Sequence, residues 1–147
     1  MDSVGSVKRG LRELSSQLSL LNHRIGARLD LKDVDLGCLD LIARDGPLTP
    51  TALARRAGLH PATVTGVLDR LERAGWVVRE RDPADRRGVR VRALPTRVRE
   101  VVRLYSGMNR SLDDILASYD EAELAVIANF VQRTAAAGAM SSEALTR

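Results

Sequence analysis

Length, composition and charge limit what this chain can be. Its 147 residues suit one compact domain, and 44% hydrophobic with 29% charged residues is typical of a globular protein rather than a disordered one. The single cysteine, Cys38, excludes an intramolecular disulfide. No apolar stretch is long enough for a membrane helix, and residues 1–16 lack the apolar core of a signal peptide, so we expect a cytoplasmic protein that does not bind membranes.

Positive charge is concentrated in the middle of the chain. Residues 49–103 hold 13 arginines, no lysine and six acidic residues, a net charge of +7, whereas the rest of the chain, with 10 basic and 13 acidic residues, carries −3. A basic segment of this kind is typical of a nucleic-acid-binding surface, although a solvated basic surface would have the same charge.

Two helices are predicted before the basic segment. Apolar residues from Val4 to Ile25 alternate spacings of three and four, which predicts a helix that packs against another helix. A second helix is expected over residues 34–44 and ends at Asp45-Gly46-Pro47.

Two short helices and a hairpin follow. Thr49-Pro50 opens a helix that ends at Gly58, and Pro61 opens another that ends at Gly75. Two short helices joined by a tight glycine-containing turn are typical of a helix-turn-helix motif. From residue 76 the pattern alternates, which predicts strands over 76–81 and 88–94 around a turn at 82–86: a wing.

The C-terminal third is predicted to be helical. A long helix is expected over residues 96–118, and Asp120 with Glu123 resembles the capping box of a last helix. Residues 139–147 are expected to be a frayed tail. The fold class is therefore mainly α (α+β): a single winged helix-turn-helix domain over 1–147, with a DNA-binding region at 46–94 and dimerisation helices at 1–30 and 96–140.

Several motifs resemble the MarR (multiple antibiotic resistance regulator) family, most sharply over residues 46–94. They are Leu68-Asp69-Arg70-Leu71-Glu72, Ala74-Gly75-Trp76-Val77 and, most specific, the wing tip Asp82-Pro83-Ala84-Asp85-Arg86-Arg87-Gly88. The resemblance implies a homodimer with interlocking terminal helices, usually a repressor of transcription on a near-palindromic operator in double-stranded DNA. Many members release DNA when a small lipophilic or phenolic effector binds, and others respond to oxidants or metals.

Three features depart from the family pattern. The family often has a long polar or basic residue at the position of Gly66. The corner between the last strand and the long helix, usually Leu-Thr-x-x-Gly, reads Leu94-Pro95-Thr96-Arg97-Val98. Cys38 lies in the second helix rather than near the N-terminus, where oxidant-sensing members carry their reactive cysteine.

The predicted DNA contacts lie on the two short helices and the wing. The helix from Pro61 to Arg73 is expected in the major groove, and the wing-tip Arg86 in the minor groove. Because residue 66 lacks a long side chain, part of the specificity is expected to come from DNA shape. The predicted contact residues are Thr49, Arg55, Arg56, His60, Ala62, Thr63, Thr65, Gly66, Arg70, Arg73, Arg86 and Arg87, of which Arg55, Arg56, Arg70 and Arg73 are candidates for phosphate contacts.

Asp69 and Asp85 are predicted to orient the wing. Arg87 is expected to turn back toward the Pro61–Arg73 helix, where Asp69 is the nearest candidate carboxylate. A bidentate ion pair between Asp69 and Arg87 would fix the angle of the wing.

Other candidate sites keep two interpretations each. Cys38 is favoured as a small core residue over a redox switch, and with His23 and His60 it shows no metal-ligand spacing. An effector pocket or plain core would both explain the set Asn22, His23, Tyr105, Met108 and Asn109.

No catalytic motif is present in the sequence. There is no nucleophile–base arrangement, phosphate-binding loop or HExxH-type motif, so we expect neither an enzyme nor a cofactor. The alternative to a DNA-binding regulator is a winged-helix protein-interaction or scaffold module, which the +7 segment argues against.

Overall fold

The computed structural model describes residues 2–146, which form helices and one antiparallel two-stranded sheet. In chain order the elements are α1 (Ser3–Arg28), α2 (Asp33–Asp45), α3 (Pro50–Ala57), α4 (Pro61–Arg73), β1 (Val77–Asp82), β2 (Asp85–Ala93), α5 (Pro95–Leu116) and α6 (Glu121–Ala144). The mainly helical winged helix-turn-helix fold is therefore confirmed. No helix in this part of the chain is long and apolar enough to cross a membrane.

The chain forms two compact units, the first ending at Tyr105 and the second beginning at Ser106. The core of the first unit is aliphatic, with Trp76 as its one fully buried aromatic side chain among the described residues. Only the C-terminal part of α1 joins this core, through Leu21 and Ile25. The buried side chains at its centre are Leu39, Ile42, Leu53, Val64, Val67, Leu68, Leu71, Trp76, Val77 and Val91.

Local chemistry fixes the helix ends. The Thr49 hydroxyl accepts a hydrogen bond from the Ala52 amide, 3.1 Å away, and caps α3. Gly58 follows α3 with a φ of 65°, the left-handed conformation that a glycine adopts without strain. Asp120 and Glu123 form the predicted capping box at the start of α6.

The hairpin is anchored at its base and irregular at its tip. Arg79 stands opposite Val91, and Val91 also exchanges two backbone hydrogen bonds with Leu48, so the base of the wing is tied to the segment before α3. Near the tip the register shifts between Arg81 and Asp82. A Cβ atom on Gly88 would lie 3.2 Å from the Asp82 Cβ atom, which favours glycine there.

The corner into α5 replaces the usual family pattern with a proline and an arginine. Pro95 occupies the first position of α5, where its missing N–H costs nothing. The Arg97 guanidinium lies 3.9 Å from the centre of the Trp76 ring and also donates hydrogen bonds to Glu100 and to the Ala74 carbonyl oxygen. These contacts fasten the start of α5 to the end of α4.

The second unit contains the remainder of α5 and helix α6. The predicted frayed tail was wrong for residues 139–144, because α6 continues to Ala144. Alanine, methionine and glutamate in this stretch are strong helix formers, so the helix continues through it. Residue 147 lies outside the described residues.

Candidate nucleic-acid interface

Helices α3 and α4 are joined by a turn of three residues, Gly58, Leu59 and His60. The Leu59 amide donates to the Ala54 carbonyl oxygen at 2.9 Å, which closes α3. His60 Nδ1 accepts a hydrogen bond from the Ala62 amide at 3.2 Å and so caps α4. When neutral, His60 therefore carries its proton on Nε2. The structure gives this predicted contact residue a capping role in the turn.

Helix α4 has one buried and one exposed face. Val64, Val67, Leu68 and Leu71 are buried in the core of the first unit. Three predicted contact residues at the N-terminal end, Ala62, Thr63 and Thr65, are exposed, and Gly66 is partly buried. The Thr65 hydroxyl donates to the Pro61 carbonyl oxygen at 3.1 Å, which leaves its oxygen free to accept.

Six arginines of residues 49–103 are held by carboxylates. The remaining exposed charge of this segment is therefore carried by fewer side chains than the sequence suggests. The pairs are Arg56 with Asp45, Arg70 with Asp35, Arg79 with both Asp69 and Glu72, Arg90 and Arg92 with Glu80, and Arg97 with Glu100.

Five other arginines lie on α3, α4 and the wing. Arg55, Arg73, Arg81, Arg86 and Arg87 are exposed, and their side chains make no ion pair or hydrogen bond with any other residue in 2–146. An unpaired guanidinium can neutralise a phosphate without first leaving a protein carboxylate. Sequence reasoning missed Arg81, and the alternation of β1 gave no signal for it, because it places Arg81 on the same face as the buried Val77.

The wing is tethered to α4 by Arg79 and not by Arg87. Arg79 donates to Asp69 at 2.9 Å and to Glu72 at 2.9 Å, so the predicted Asp69–Arg87 pair was wrong. Asp69 and Glu72 lie one turn apart on α4, and β1 follows that helix directly, so one guanidinium reaches both carboxylates. Hydrogen bonding to Asp69, with smaller effects from Glu72, raises the pKa of Arg79 above its ordinary value.

Asp85 shapes the tip of the wing. Its carboxylate accepts a hydrogen bond from the Arg87 amide at 2.9 Å, and Asp82 accepts one from the Ala84 amide at 3.0 Å. Short side-chain-to-backbone bonds of this type stabilise tight turns. Between them, Pro83 and Ala84 form the turn, and Arg86 and Arg87 project from its C-terminal side.

Arg70 is bound to α2. Its Nε and Nη2 atoms donate to the two carboxylate oxygens of Asp35 at 2.9 and 2.8 Å, and these hydrogen bonds raise the pKa of the guanidinium above its ordinary value. The predicted phosphate contact thus has a protein partner.

Comparison with known proteins decides the family. The sequence model of the MarR family matches residues 31–89. The uncharacterized HTH-type transcriptional regulator YcgE of Bacillus subtilis (strain 168) is 35% identical over 124 residues, which are 84% of this chain and 80% of that one. The chain belongs to the MarR family. It is therefore a helix-turn-helix transcription regulator that binds DNA, and the prediction that it is not an enzyme is confirmed.

Two further comparisons concern more distant proteins. The HTH-type transcriptional repressor YetL of Bacillus subtilis (strain 168) is 30% identical over 81 residues, 55% of this MarR family chain and 48% of YetL. The crystal structure of NadR in complex with 4-hydroxyphenylacetate has the same fold, with a TM-score of 0.66 and 22% identity over 92% of this chain and 96% of that one.

Three of the candidate effector residues lie in the first unit of this MarR family chain. The Tyr105 hydroxyl donates to Asn22 Oδ1 at 2.6 Å, and burial, with a smaller effect of Asp40, raises the pKa of Tyr105. His23 forms an exposed pair with Asp33 at 2.9 Å. The other two candidates, Met108 and Asn109, belong to the second unit.

An open groove of about 540 Å³ lies beside His23. Its walls combine apolar side chains with one amine and one carboxylate, a composition that suits a small amphipathic ligand. The lining residues are His23, Ala27, Leu31, Lys32, Asp33 and Val34.

Cys38 lies in the core. It is 1% exposed, and burial, followed by the charge of Asp35, raises the pKa of its thiol, while Arg70 acts in the opposite direction. The core interpretation of Cys38 matches this position. Within residues 2–146, no group of three or more His, Cys, Asp or Glu side chains could hold a metal ion.

Proposed function

We propose that this MarR family regulator is a cytoplasmic repressor that binds a near-palindromic operator in double-stranded DNA as a homodimer and releases it when a small effector binds. The observation that carries the proposal is the set of five exposed, unpaired arginines on α3, α4 and the wing (Arg55, Arg73, Arg81, Arg86 and Arg87). The name of its relative YetL, a transcriptional repressor, supports repression as the output.

DNA reading is assigned to α4 and the wing. With α4 in the major groove, Ala62, Thr63 and Thr65 meet the base edges, where threonine hydroxyls and small side chains contact bases of either type. Arg55 and Arg73 contact phosphates on either side, and Arg86 reaches the minor groove from the wing. With short side chains on α4, DNA shape contributes to the specificity.

Helix α1 carries a row of exposed apolar side chains, the α1 seam, which a second copy of the chain would cover. Val4, Val7, Leu14 and Leu18 continue the spacing of the buried Ile25 but are exposed. Apolar side chains are also exposed in the second unit, on both α5 and α6: Leu112, Ile115, Val126, Phe130, Val131 and Met140. Large exposed apolar surfaces of this kind mark interfaces between proteins. A dimer would place two α4 helices on half-sites about 34–36 Å apart.

The effector site is assigned to the groove beside His23. Its volume lies within the range of small-molecule sites, roughly 300–1,000 Å³. NadR is crystallised with 4-hydroxyphenylacetate, a phenolic carboxylate, and Lys32 offers such an anion a partner at the rim of the groove. Tyr105 and Asn22 do not line this groove, so a bound ligand would affect their hydrogen bond only indirectly, through α1.

Salt dependence tests the DNA contacts. In mobility-shift titrations, log affinity should fall by about 0.9 per log unit of salt for each phosphate neutralised. Arg86→Gln should lower that slope by about 1.8, because the homodimer loses one contact in each half-site, whereas Arg133→Gln, an exposed arginine on α6, should leave it unchanged. A protein that binds no duplex at low salt would instead support the protein-interaction module.

Ligand titration tests the effector site. With 4-hydroxyphenylacetate as the probe, we expect a higher melting temperature of the free protein and release of bound DNA, because only differential affinity for the two states shifts their populations. Ala27→Arg should abolish both effects by filling the groove, because Ala27 lines the groove and is exposed. Release that survives Ala27→Arg would place the ligand elsewhere.

A further inference from the structure

Asp35 is the buried charge of the first unit. Its residue is 3% exposed, whereas every other charged residue in 2–146 is at least partly exposed. Both of its carboxylate oxygens accept hydrogen bonds from one partner, Arg70, at 2.8 and 2.9 Å. A buried carboxylate is tolerable in a protein when such a partner satisfies it. The pair joins the first turn of α2 to the last turn of α4.

Gly66 leaves room for this pair. It lies one turn before Arg70 on α4, and the Arg70 Nη1 atom is 3.4 Å from the place where a Cβ atom of residue 66 would be. A long side chain at residue 66 would compete with the Arg70 side chain for the same surface, because residues four apart lie on one helix face. The departure of this chain from the family pattern at residue 66 thus coincides with the path of Arg70.

Contact with DNA phosphate would require Arg70 to give up Asp35. Withdrawing one partner of a buried ion pair leaves an uncompensated charge in the core, which is strongly unfavourable. Arg73, three residues further along α4, is exposed and makes no ion pair with another described residue, so it is available for phosphate at no such cost.

The Asp35–Arg70 pair also supplies a directional contact, which the apolar stripe of α4 lacks. Burial of Val64, Val67, Leu68 and Leu71 is favourable but non-directional, so it tolerates small rotations of the helix. Two parallel hydrogen bonds between a planar guanidinium and a carboxylate fix both distance and angle. Arg70 and Gly66 are partly buried and lie on one side of α4 with the exposed Thr63.

We propose that Arg70 and Asp35 are positioning residues, which fix the rotation of α4 on α2 so that Thr63 and Thr65 meet the bases, and that Arg70 makes no phosphate contact. This inference rests on the sequence-specific binding proposed above. It separates two properties of DNA binding: the positioning pair governs discrimination between sequences, and the unpaired arginines govern affinity for any duplex.

The decisive variant is Arg70→Lys. Lysine keeps the positive charge that a phosphate contact needs but cannot grip a carboxylate bidentately. The probes are the duplex that the wild-type protein selects from a random-sequence pool and a scrambled duplex of the same length and composition. We expect about a tenfold or larger loss on the selected duplex, comparable with one mismatched base pair, with unchanged affinity for the scrambled duplex and an unchanged salt slope.

A double variant and a neighbouring arginine complete the test. Asp35→Asn with Arg70→Gln removes the pair without leaving a buried charge alone, and should show the same selective loss with a melting temperature near that of the wild type. Arg73→Gln, on the same helix, should weaken both duplexes alike and lower the salt slope by about 0.9 for each bound protomer, or about 1.8 for the homodimer.

Three results would overturn the proposal. Wild-type affinity of Arg70→Lys for the selected duplex, combined with a reduced salt slope in the double variant, would make Arg70 a phosphate contact. Unchanged discrimination in both variants would make the pair a packing feature only. If the wild-type protein selects no sequence from the pool, the proposed sequence-specific function fails together with this inference. The first two results leave that function intact and overturn only the positioning role of Arg70 and Asp35.

Discussion

The arginines of residues 49–103 fall into two groups according to the carboxylates within reach. Arg79 and Arg70 each bridge α4 to a neighbouring element, whereas Arg86 and Arg87 at the tip of the wing are exposed and unpaired within the described chain. Exposed ion pairs are weak, about 0–1 kcal/mol, so pairing influences where a guanidinium rests more than how stable the protein is. The count of arginines alone therefore overstates the number of phosphate contacts.

A double-mutant cycle should detect the tether between α4 and the wing. Asp69→Ala and Arg79→Ala should each lower the free energy of unfolding by up to about 1 kcal/mol, and the double variant should be little worse than either single one. Urea denaturation measures the coupling. Asp69→Ala with Arg87→Ala is the matched control and should be additive. Coupling of Asp69 to Arg87, without coupling to Arg79, would restore the pairing predicted from sequence.

Cys38 should be unreactive in the folded protein. Its thiol is buried, and burial followed by the charge of Asp35 raises its pKa, so the reactive thiolate is scarce near neutral pH. We expect iodoacetamide to alkylate Cys38 slowly at pH 8 and rapidly in urea, as followed by mass spectrometry. Fast alkylation of the folded protein would show a reactive thiol instead.

The same shift has a consequence for stability. A thiol whose pKa is higher in the folded state favours folding fully below the pKa of the unfolded thiol, about 8.5, and loses this contribution as pH rises above it. Stability should therefore fall more steeply between pH 8 and 10 in the wild-type protein than in Cys38→Ala. Parallel pH profiles would contradict this expectation.

Two glycines show how one residue type has opposite effects in different elements. Gly58 ends α3 with a φ of 65°, and it sets the turn that aims α4. Gly37 lies inside α2, is exposed, and has open space where a Cβ atom would be. The first glycine meets a conformational requirement of the motif, and the second only weakens a helix.

Alanine at these two positions should shift stability in opposite directions. Gly58→Ala should cost about 1 kcal/mol, because alanine is strained at positive φ, while Gly37→Ala should add roughly 0.5–1 kcal/mol through helix propensity. Chemical denaturation with a common slope measures both. Equal effects of the two substitutions would show that the turn at Gly58 relaxes to accept a side chain.

Element boundaries could be predicted from sequence because local chemistry sets them. Thr49, Gly58 and the Asp120–Glu123 capping box act within three or four residues, and each is predicted from residue type and local spacing. The partners of the arginines could not be predicted in this way. Asp35 and Arg70 are 35 residues apart, and Asp69 had several arginines within plausible reach, so only the packing of α2, α4 and β1 decides the pairs.

At the scale of the whole molecule, the first helix changes character along its length. Near its C-terminal end Ile25 is buried in the core of the first unit, while Leu14 and Leu18 on the same seam are 45% and 37% exposed. A heptad pattern that continues beyond the core has a use only if another helix covers it. The exposed part of this heptad pattern is therefore the main structural support for a dimer.

Charge placed on that seam should separate dimerisation from folding. Leu14→Glu with Leu18→Glu should leave the first unit folded, because both side chains lie outside its core, but should yield a monomer in sedimentation equilibrium. Leu20 is 42% exposed and lies off the seam, so Leu20→Glu is the matched control and should remain a dimer. A monomeric wild-type chain would refute the dimer outright.

The same variant should lose operator binding more than binding in general. A monomer keeps one α4 helix and its unpaired arginines, so its affinity for a scrambled duplex, per protomer, should be retained. It loses the second half-site, about 34–36 Å away, and with it the gain from two linked contacts, roughly 10²-fold or more. Mobility shifts measure the contribution of the second half-site. They compare the selected duplex with one whose half-sites are moved apart by 5 base pairs, about half a helical turn. The wild-type dimer should fail on the altered spacing and the monomer should be indifferent to it; a monomer that still distinguishes the two spacings would show that recognition does not depend on two-fold symmetry.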